Sequence, residues 1–213
     1  MIELYTWNTP NGQKIPIFLE ETGTPYNFHP VHIGKGEQKT PEFLAINPNG
    51  KIPAIVDTEG PDGKPLRVFE SGAILQYLAQ KTGQLLPAHP RHRVEALAWL
   101  AFQIGGVGPM FGQVGFFLRA KERNEQAIER YTTESQRLFG VLERRLGEEE
   151  YLAVEYSIAD IATYPWVRAS QFIGSDFMQQ ALEDSPNVRR WYDAIAKRPA
   201  VERALQITKE KSQ

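Results

Sequence analysis

The sequence of 213 residues contains no cysteine. This absence excludes structural disulfides, a Cys-x-x-Cys redox pair, a cysteine nucleophile and a thiolate metal site. Any thiol chemistry that involves this chain must therefore use a sulfur atom supplied by another molecule.

The chain also lacks an excess of charge of either sign, with 24 basic and 26 acidic residues and a net charge of -2. The balance is local, because residues 1–84 carry 7 basic and 9 acidic side chains and residues 85–213 carry 17 of each. Nucleic-acid-binding proteins usually neutralise phosphates with a basic face. We therefore predict that nucleic acid is not a partner.

Long apolar runs are scarce, and the one long uncharged stretch covers residues 96–118. It is long enough to cross a hydrocarbon layer of ~30 Å. Five glycines, Pro109 and two glutamines interrupt it, which favours a buried helix with a break over a membrane span. The opening residues MIELYTW lack the features of a secretory signal. We predict a cytoplasmic protein with no membrane partner.

Motifs for metals and nucleotides are missing as well. The sequence has no G-x-S-x-G, no P-loop and no dinucleotide-binding glycine fingerprint. His29 and His32 lie in a predicted strand, where alternation directs them to opposite faces. We therefore predict no metal site.

The distribution of prolines indicates two parts of the chain, because 11 of the 15 prolines lie in residues 1–90. The first part alternates short β-like runs with helical ones, whereas the second reads as long amphipathic helices. This order predicts a thioredoxin-like mixed sheet with helices over residues 1–84, a linker over residues 85–90 and an all-helical domain over residues 91–213.

Two further local patterns concern a helix start and a strand start. Ser157 and Asp160 have the spacing of a capping box, which predicts a helix that begins after Ser157. In NGKIPAIV, Pro53 leads directly into a strand, where proline is tolerated at the first position. A cis bond before Pro53 would present the backbone of Ile52 to an extended peptide, and an ordinary trans proline is the alternative.

Glu70, Ser71 and Gly72 join a strand end to a helix start. The unpaired N–H groups and positive potential of a helix N-terminus suit a ligand carboxylate, while Glu70 could hold an ammonium group. The pair therefore suits an α-amino-acid end. The alternative is that Ser71 is simply a helix cap and Glu70 a solvated charge.

The segment TWNTPNG joins the first strand to the first helix, which is predicted over Lys14–Thr22. Thr9 and Asn11 could donate hydrogen bonds to a thiolate, which lowers a thiol pKa from its free value of ~8.5. Asn11 and Gly12 also form common turn chemistry, so a turn and a cap are the alternative.

Taken together, several segments resemble the glutathione transferase superfamily over nearly the whole chain, namely TPNG after the first strand, NGKIPAIV, FESGAILQYL and YSIADIA. The details TPNGQKI, IGKGEQKTPEF and GGVGPMFGQ look most like the bacterial Nu-class branch, whose members are glutathione-dependent disulfide-bond reductases. The resemblance implies an α/β plus all-α fold, with an N-terminal thioredoxin-like domain for glutathione, a C-terminal helical-bundle domain and a homodimer.

The resemblance also implies binding residues for each part of glutathione. They are Glu70 and Ser71 for the γ-glutamyl end, Ile52 beside a cis Pro53 for the cysteinyl backbone, and Gln38 with Lys51 for the glycyl carboxylate.

The same resemblance places Thr9 and Asn11 at the sulfur as the catalytic pair. The sequence departs from the wider superfamily here, because TWNTPNG contains no serine or cysteine and Tyr5 comes too early. In the Nu-class branch, two glutathione molecules or one oxidised glutathione occupy the site. Arg130 would then bind a carboxylate of the second molecule, and a solvent-facing helix charge is the alternative.

The resemblance implies a glutathione-dependent thiol:disulfide oxidoreductase that uses bound glutathione, reduced or oxidised, as its only thiol source, with weak transferase or peroxidase activity. Its expected partners are glutathione and small disulfides or electrophiles. Two alternatives stay open: a non-catalytic binding module of the same fold, and a conventional transferase that conjugates electrophiles in a pocket near residues 111–117.

Overall fold

The computed structural model describes all residues from Met1 to Gln213. It has four strands, β1 (Ile2–Thr6), β2 (Tyr26–Pro30), β3 (Ala54–Asp57) and β4 (Leu66–Phe69). It has ten α-helices, α1 (Pro10–Thr22), α2 (Pro41–Leu44), α3 (Ser71–Thr82), α4 (Pro90–Phe102), α5 (Gly108–Arg119), α6 (Glu125–Glu148), α7 (Ile158–Ser170), α8 (Asp176–Glu183), α9 (Pro186–Ala196) and α10 (Pro199–Lys211). Two 3₁₀ turns, Ile33–Lys35 and Glu37–Lys39, and one π-helical segment, Gln103–Val107, complete the list.

The chain folds into two compact units, the first made of residues 1–84 and 197–213 and the second of residues 85–196. The first unit is built on a mixed sheet with the strand order β2-β1-β3-β4. Strand β2 runs parallel to β1, whereas β3 is antiparallel to β1 and β4 to β3. This arrangement confirms the predicted thioredoxin-like sheet, and the helices of the second unit confirm the second half of the fold class.

Helix α10 lies in the first unit, although the sequence analysis placed its residues in the helical domain. It packs along α1, and two ion pairs join the helices. Arg198 donates to both carboxylate oxygens of Glu21 at 2.6 and 2.9 Å, and Arg203 donates to Glu20 at 3.1 Å. Composition gave no signal for this assignment, because α10 is as amphipathic as the helices of the second unit.

Helix α1 begins at Pro10, four residues before the predicted start at Lys14. The hydroxyl of Thr9 accepts a hydrogen bond from the N–H of Gly12 and so caps the helix. Proline is favoured at the first helical position, where its missing N–H costs nothing and its φ is already helical. Asn11 and Gly12 therefore lie inside the first turn and do not precede it.

In the second unit, α4, the π-helical segment and α5 form one helical run from Pro90 to Arg119. By length and composition this run could cross a membrane, a property it shares with core helices of soluble proteins. Its glycines allow close packing: a Cβ on Gly108 would lie 3.1 Å from Nε1 of Trp166, and one on Gly112 would lie 3.3 Å from the same ring.

The capping box predicted for α7 is confirmed. Ser157 and Asp160 cap the helix reciprocally, and both side chains are fully buried. Asp160 also accepts hydrogen bonds from the N–H of Leu152 at 3.0 Å and from the indole of Trp191 at 2.8 Å. Burial raises the pKa of Asp160 to about 6, although these hydrogen bonds oppose the shift. Asp160 thus joins three segments of the second unit.

Candidate functional site

The strand register brings the predicted site segments of the first unit to one end of the sheet. Tyr5 of β1 lies opposite Ala54 of β3, which lies opposite Phe69 of β4, and Thr6 lies beside Pro30 of β2. The chain therefore leaves β1, β2 and β4, and enters β3, at the same end. The loops that carry Thr9, Gln38, Ile52 and Ser71 all begin or end there.

Thr9 caps helix α1 and lies at the N-terminus of that helix. Its hydroxyl oxygen accepts from the N–H of Gly12 at 3.0 Å, which leaves the hydroxyl hydrogen available as a donor. Helix α1 has no acidic residue in its first turn, so the positive potential of its N-terminus is not neutralised there. Asn11 lies half-buried in that turn. The cap and the thiolate donor, treated as alternatives above, are compatible in Thr9.

Gly12 fixes the path of the loop between β1 and α1. A Cβ at this position would lie 1.9 Å from the carbonyl oxygen of Trp7, so the loop can pass this closely only over a glycine. The hydroxyl of Thr6 donates to the carbonyl of Gly12 at 2.9 Å, and the N–H of Asn8 donates to the hydroxyl of Ser212 at 3.0 Å. The sequence gives no signal for these supports, because they depend on the three-dimensional path of the loop and on a residue near the end of the chain.

The peptide bond between Ile52 and Pro53 is cis, as the resemblance implied. The side chain of Ile52 packs against an apolar cluster that contains Val31 and Phe43. Its backbone N–H and C=O make no hydrogen bond within the chain. An extended peptide could therefore pair with both groups of Ile52.

Asn47 shapes the loop that precedes Ile52. Its buried amide donates to the carbonyl of Lys51 at 2.6 Å, and its side-chain oxygen accepts from the N–H of Asn49 at 2.9 Å. Asn49 in turn donates to the carboxylate of Glu70 at 3.0 Å. The two asparagines thus connect the Ile52 loop to the end of β4, a role that the sequence analysis did not assign.

Gln38 lies beside the same loop. Its backbone carbonyl oxygen would be 3.3 Å from a Cβ placed on Gly50, which puts Gln38 next to the residue that precedes Lys51. The side-chain oxygen of Gln38 is buried and has no hydrogen-bond partner, whereas Lys51 is exposed. The structure therefore brings these two predicted glycyl-binding residues close together.

Glu70 and Ser71 mark the junction of β4 and α3. Glu70 adopts φ 66° and ψ 116°, a positive φ that few non-glycine residues adopt. Such a conformation costs on the order of 1–3 kcal/mol and is often found at binding sites. Ser71 is buried in the first turn of α3, which has no acidic residue. An anion could therefore approach the N–H groups of this helix.

Lys14 is a component of the site that the sequence analysis missed. Its side chain is fully buried, and its ammonium donates to the hydroxyl of Ser71 at 3.1 Å. Burial lowers the pKa of Lys14 to about 7, and the negative charge of Glu70 opposes the shift. The segment TPNGQKI gave no sign of burial, since lysine usually lies on helix surfaces.

The remaining predicted site residue, Arg130, lies exposed on α6 in the second unit. Its role stays a prediction.

The histidines of the first unit make contacts other than metal binding: His29 bonds Glu3 at 2.5 Å and stacks on Tyr5, and His32 stacks on Trp7. The chain contains no group of three or more potential ligand residues placed to hold a metal ion.

Comparison with known proteins relates this geometry to a family. Residues 1–80 match the glutathione S-transferase N-terminal domain, and residues 107–199 match the glutathione S-transferase C-terminal domain. The disulfide-bond oxidoreductase YfcG of Escherichia coli (strain K12) is 49% identical over 210 residues, which cover 96% of this chain and 94% of that relative.

Solved structures agree. A glutathione transferase from Burkholderia graminis, with two glutathione molecules bound per subunit, is 53% identical with a TM-score of 0.89, covering 96% of this chain and 87% of that one. One from Pseudomonas putida, with one glutathione disulfide bound per subunit, is 47% identical with a TM-score of 0.90, covering 97% and 91%. This chain belongs to the glutathione S-transferase family.

Proposed function

We propose that the protein is a glutathione-dependent thiol:disulfide oxidoreductase. One observation carries the proposal: the strand register brings the segments that contain Thr9, Ile52 and Ser71 to one end of the sheet, in a chain that contains no thiol of its own. The name of the relative YfcG, and the glutathione or glutathione disulfide bound in the similar structures, support it.

The γ-glutamyl end of glutathione carries an ammonium and a carboxylate. The exposed carboxylate of Glu70 would bind the ammonium, and Asn49 holds that carboxylate in place. The hydroxyl of Ser71 and the first N–H groups of α3 would bind the γ-glutamyl carboxylate. The ligand ammonium would thus face a negative carboxylate, and the ligand carboxylate would face the positive end of a helix.

The rest of glutathione would extend along the Ile52 loop. The free N–H and C=O of Ile52 would pair with the cysteinyl backbone as a short added strand. Lys51 and Gln38 would bind the glycyl carboxylate, Lys51 through its ammonium and Gln38 through its amide N–H group. This placement directs the cysteine sulfur toward the N-terminus of α1.

At that N-terminus, Thr9 and Asn11 would donate hydrogen bonds to the sulfur. A hydrogen bond to the charged form of a group lowers its pKa, and the potential at the start of α1 acts in the same direction. A larger share of the bound glutathione is then present as the reactive thiolate near neutral pH.

The reaction follows from two exchanges. The thiolate of the first glutathione attacks the substrate disulfide, so that a mixed disulfide forms and one substrate sulfur leaves as a thiolate that takes up a proton. The thiolate of a second glutathione then attacks the glutathione sulfur of the mixed disulfide. The second substrate thiol is released and glutathione disulfide forms, so two glutathiones are oxidised for each disulfide reduced. Arg130 would bind a carboxylate of the second glutathione.

Substitutions at Thr9 and Asn11 test the proposal. The assay is reduction of 2-hydroxyethyl disulfide by glutathione, coupled to glutathione reductase. Combined Thr9→Ala and Asn11→Ala changes should lower kcat/KM about 100-fold, the order seen when a donor to a developing anion is removed. Unchanged turnover in this variant would contradict the assigned role.

Two further changes at Thr9 separate its donor from its cap, because loss of a threonine cap alone costs about 1 kcal/mol of stability. Thr9→Ser keeps both the cap and the donor, and should keep most of the activity. Thr9→Asp keeps the cap acceptor but places a negative charge near the sulfur, and should lose activity while the fold stays stable. Equal activity in the two variants would contradict donation by Thr9.

A parallel assay of conjugation to a chlorinated nitrobenzene distinguishes the other functions. Strong conjugation without disulfide reduction would favour a conventional transferase. Glutathione binding without turnover in either assay would favour a binding module. The proposal also includes a cytoplasmic homodimer, whose assembly can be checked by size-exclusion chromatography with light scattering.

A further inference from the structure

Lys14 is the only basic side chain of the chain that is buried. Removing an ammonium from water is costly, and an apolar residue of similar size in the same place usually gives an equally stable or more stable protein. Packing alone therefore does not account for a lysine here. Its contact with Ser71, at 3.1 Å, connects it to the start of α3.

The direction of that hydrogen bond has a consequence for Ser71. An ammonium has three donors and no acceptor, so the oxygen of Ser71 must accept from Lys14. The hydroxyl hydrogen of Ser71 is then left to be donated to another acceptor. A neutral amine could instead accept that hydrogen, and Ser71 would lose its donor for a ligand.

We propose that Lys14 is a positioning residue for the γ-glutamyl carboxylate of glutathione: its buried ammonium fixes the Ser71 hydroxyl as a donor to that carboxylate and adds a positive charge behind it. This inference rests on the proposed function, which places that carboxylate at Ser71. It assigns a role in binding to a side chain that is fully buried in the protein interior.

The charged surroundings of Lys14 support this assignment. Within the first unit, the group whose charge acts on Lys14 is Glu70, which would itself bind the ligand ammonium. Helix α1 packs against α3, α10 and β1. The other titratable and charged groups of these elements have partners of their own or are exposed: Arg198 with Glu21, Arg203 with Glu20, Lys81 and Tyr77 with Asp57, Glu3 and Tyr5 with His29, and exposed Glu202, Lys209, Glu210 and Lys211.

A Lys14→Met variant tests the proposal, because methionine keeps most of the side-chain volume without the charge. Binding of S-methylglutathione is measured by calorimetry, since this ligand has no ionisable thiol and needs no turnover. We expect the affinity to fall about tenfold or more, as for loss of a charge-assisted contact. Lys64→Met, at an exposed lysine in the turn before β4, is the matched control and should bind normally.

Thermal stability provides a second readout, because the Lys14→Met substitution should lower the affinity without lowering the stability. The charged form of Lys14 is favoured more in the unfolded chain than in the folded one, so this group opposes folding near neutral pH. Lys14→Met should therefore be at least as stable as the wild type in thermal unfolding while it binds less tightly. A merely structural lysine would give the reverse, with lower stability and unchanged affinity of the folded protein.

The pH dependence of the wild type needs no variant and covers the case in which Lys14→Met fails to fold. A bound carboxylate favours charged Lys14, so affinity should fall as pH rises from about 6 to about 8, by up to about tenfold. Where Lys14→Met folds, its profile gives the pH dependence without Lys14, and the difference between the two profiles reports Lys14. A wild-type affinity that does not fall over this pH range would overturn the inference without any variant, as would identical profiles in the two proteins or normal affinity in Lys14→Met.

The outcomes also separate this inference from the proposed function. A wild type that does not bind S-methylglutathione would refute the site itself. A wild type that binds it and reduces disulfides, with a Lys14→Met variant that binds equally well at each pH, would refute only the role of Lys14.

Discussion

Two helix starts in the two units use the same residue chemistry in different ways. Thr9 begins α1 and Ser157 begins α7, each with a hydroxyl that accepts a backbone hydrogen bond. At α7, the carboxylate of Asp160 completes a capping box and is fully buried. At α1, the third helical residue is Gly12 and no acidic residue lies in the first turn. The positive end of α7 is neutralised by the protein, whereas that of α1 is left for another anion.

The same contrast holds at two more helices. Helix α9 in the second unit receives the carboxylate of Glu143, which accepts from the N–H groups of Asn187 at 3.1 Å and Val188 at 3.0 Å. Helix α3 in the first unit has no acidic residue in its first turn and no side-chain cap from Glu70. The carboxylates at the starts of α7 and α9 stabilise the second unit, whereas the proposed function assigns the starts of α1 and α3, which have no acidic residue, to the thiolate and the carboxylate of glutathione.

The largest effect on stability should come from removing the carboxylate at the start of α7. Asp160→Asn replaces one carboxylate oxygen by an amide that must face buried N–H or O–H donors, such as those of Ser157. We expect a loss of about 3 kcal/mol in the free energy of unfolding, measured with urea, because buried donors lose their partner. Asp193→Asn, in an exposed i,i+4 pair with Arg189, should cost less than about 0.5 kcal/mol. Equal losses in the two variants would contradict the contrast.

The pH dependence of stability sharpens this prediction. Because burial raises the pKa of Asp160 to about 6, the folded protein holds this proton more tightly than the unfolded chain. The stabilisation from protonated Asp160 is fully present below the unfolded pKa and is lost as pH rises through about 6. The stability of the wild type relative to Asp160→Asn should therefore fall between about pH 4 and about pH 6 and become constant above that range. A difference that is constant throughout would contradict the shift.

A smaller loss of stability should follow from adding a Cβ at Gly12, in the first turn of α1. Gly12→Ala places a Cβ 1.9 Å from the carbonyl oxygen of Trp7, so the loop that carries Thr9 must move. We expect a loss of about 2 kcal/mol in stability, typical of overpacking, together with a marked fall in disulfide reduction. Gly140→Ala is the control, because its Cβ meets nothing within 4 Å on the exposed face of α6 and alanine favours helix. Normal activity in Gly12→Ala would show that the loop geometry is not critical.

The sequence was sufficient for features that depend on neighbouring residues. The strand and helix order, the capping box at Ser157 and the site segments could be predicted, because turns, caps and strand starts have local signatures. The predicted start of α1 at Lys14 was wrong because Asn11 and Gly12 were interpreted as a turn that precedes the helix. The hydroxyl of Thr9 and the ring of Pro10 together determine where the helix begins.

Features that depend on distant residues could not be predicted. Lys14 meets Ser71 across 57 positions, and Asn49 meets Glu70 across 21. Ser212 reaches the loop at Asn8 from the far end of the chain, which no periodicity indicates. Motif resemblance thus indicated the residues proposed to bind glutathione, but not the residues that hold them in position.

The smallest effect should come from Arg130, which is proposed to bind a carboxylate of the second glutathione. An exposed arginine that binds one carboxylate of a mobile ligand contributes about 0.5–1 kcal/mol. Arg130→Met should therefore raise KM for glutathione in disulfide reduction about two- to fivefold, with little change in stability. Affinity for the first glutathione, measured with S-methylglutathione, should stay unchanged, because none of the contacts proposed for that molecule involves Arg130.

Arg144→Met is the matched control, since Arg144 is also exposed on α6 and has no ion-pair partner. Both substitutions remove one positive charge from the same helix, so a general electrostatic effect on an anionic substrate would raise KM equally in the two variants. A rise confined to Arg130→Met would show that Arg130 makes a specific contact with the second glutathione. Equal KM values in the two variants would contradict binding of the second glutathione by Arg130. The second glutathione would then need a different partner.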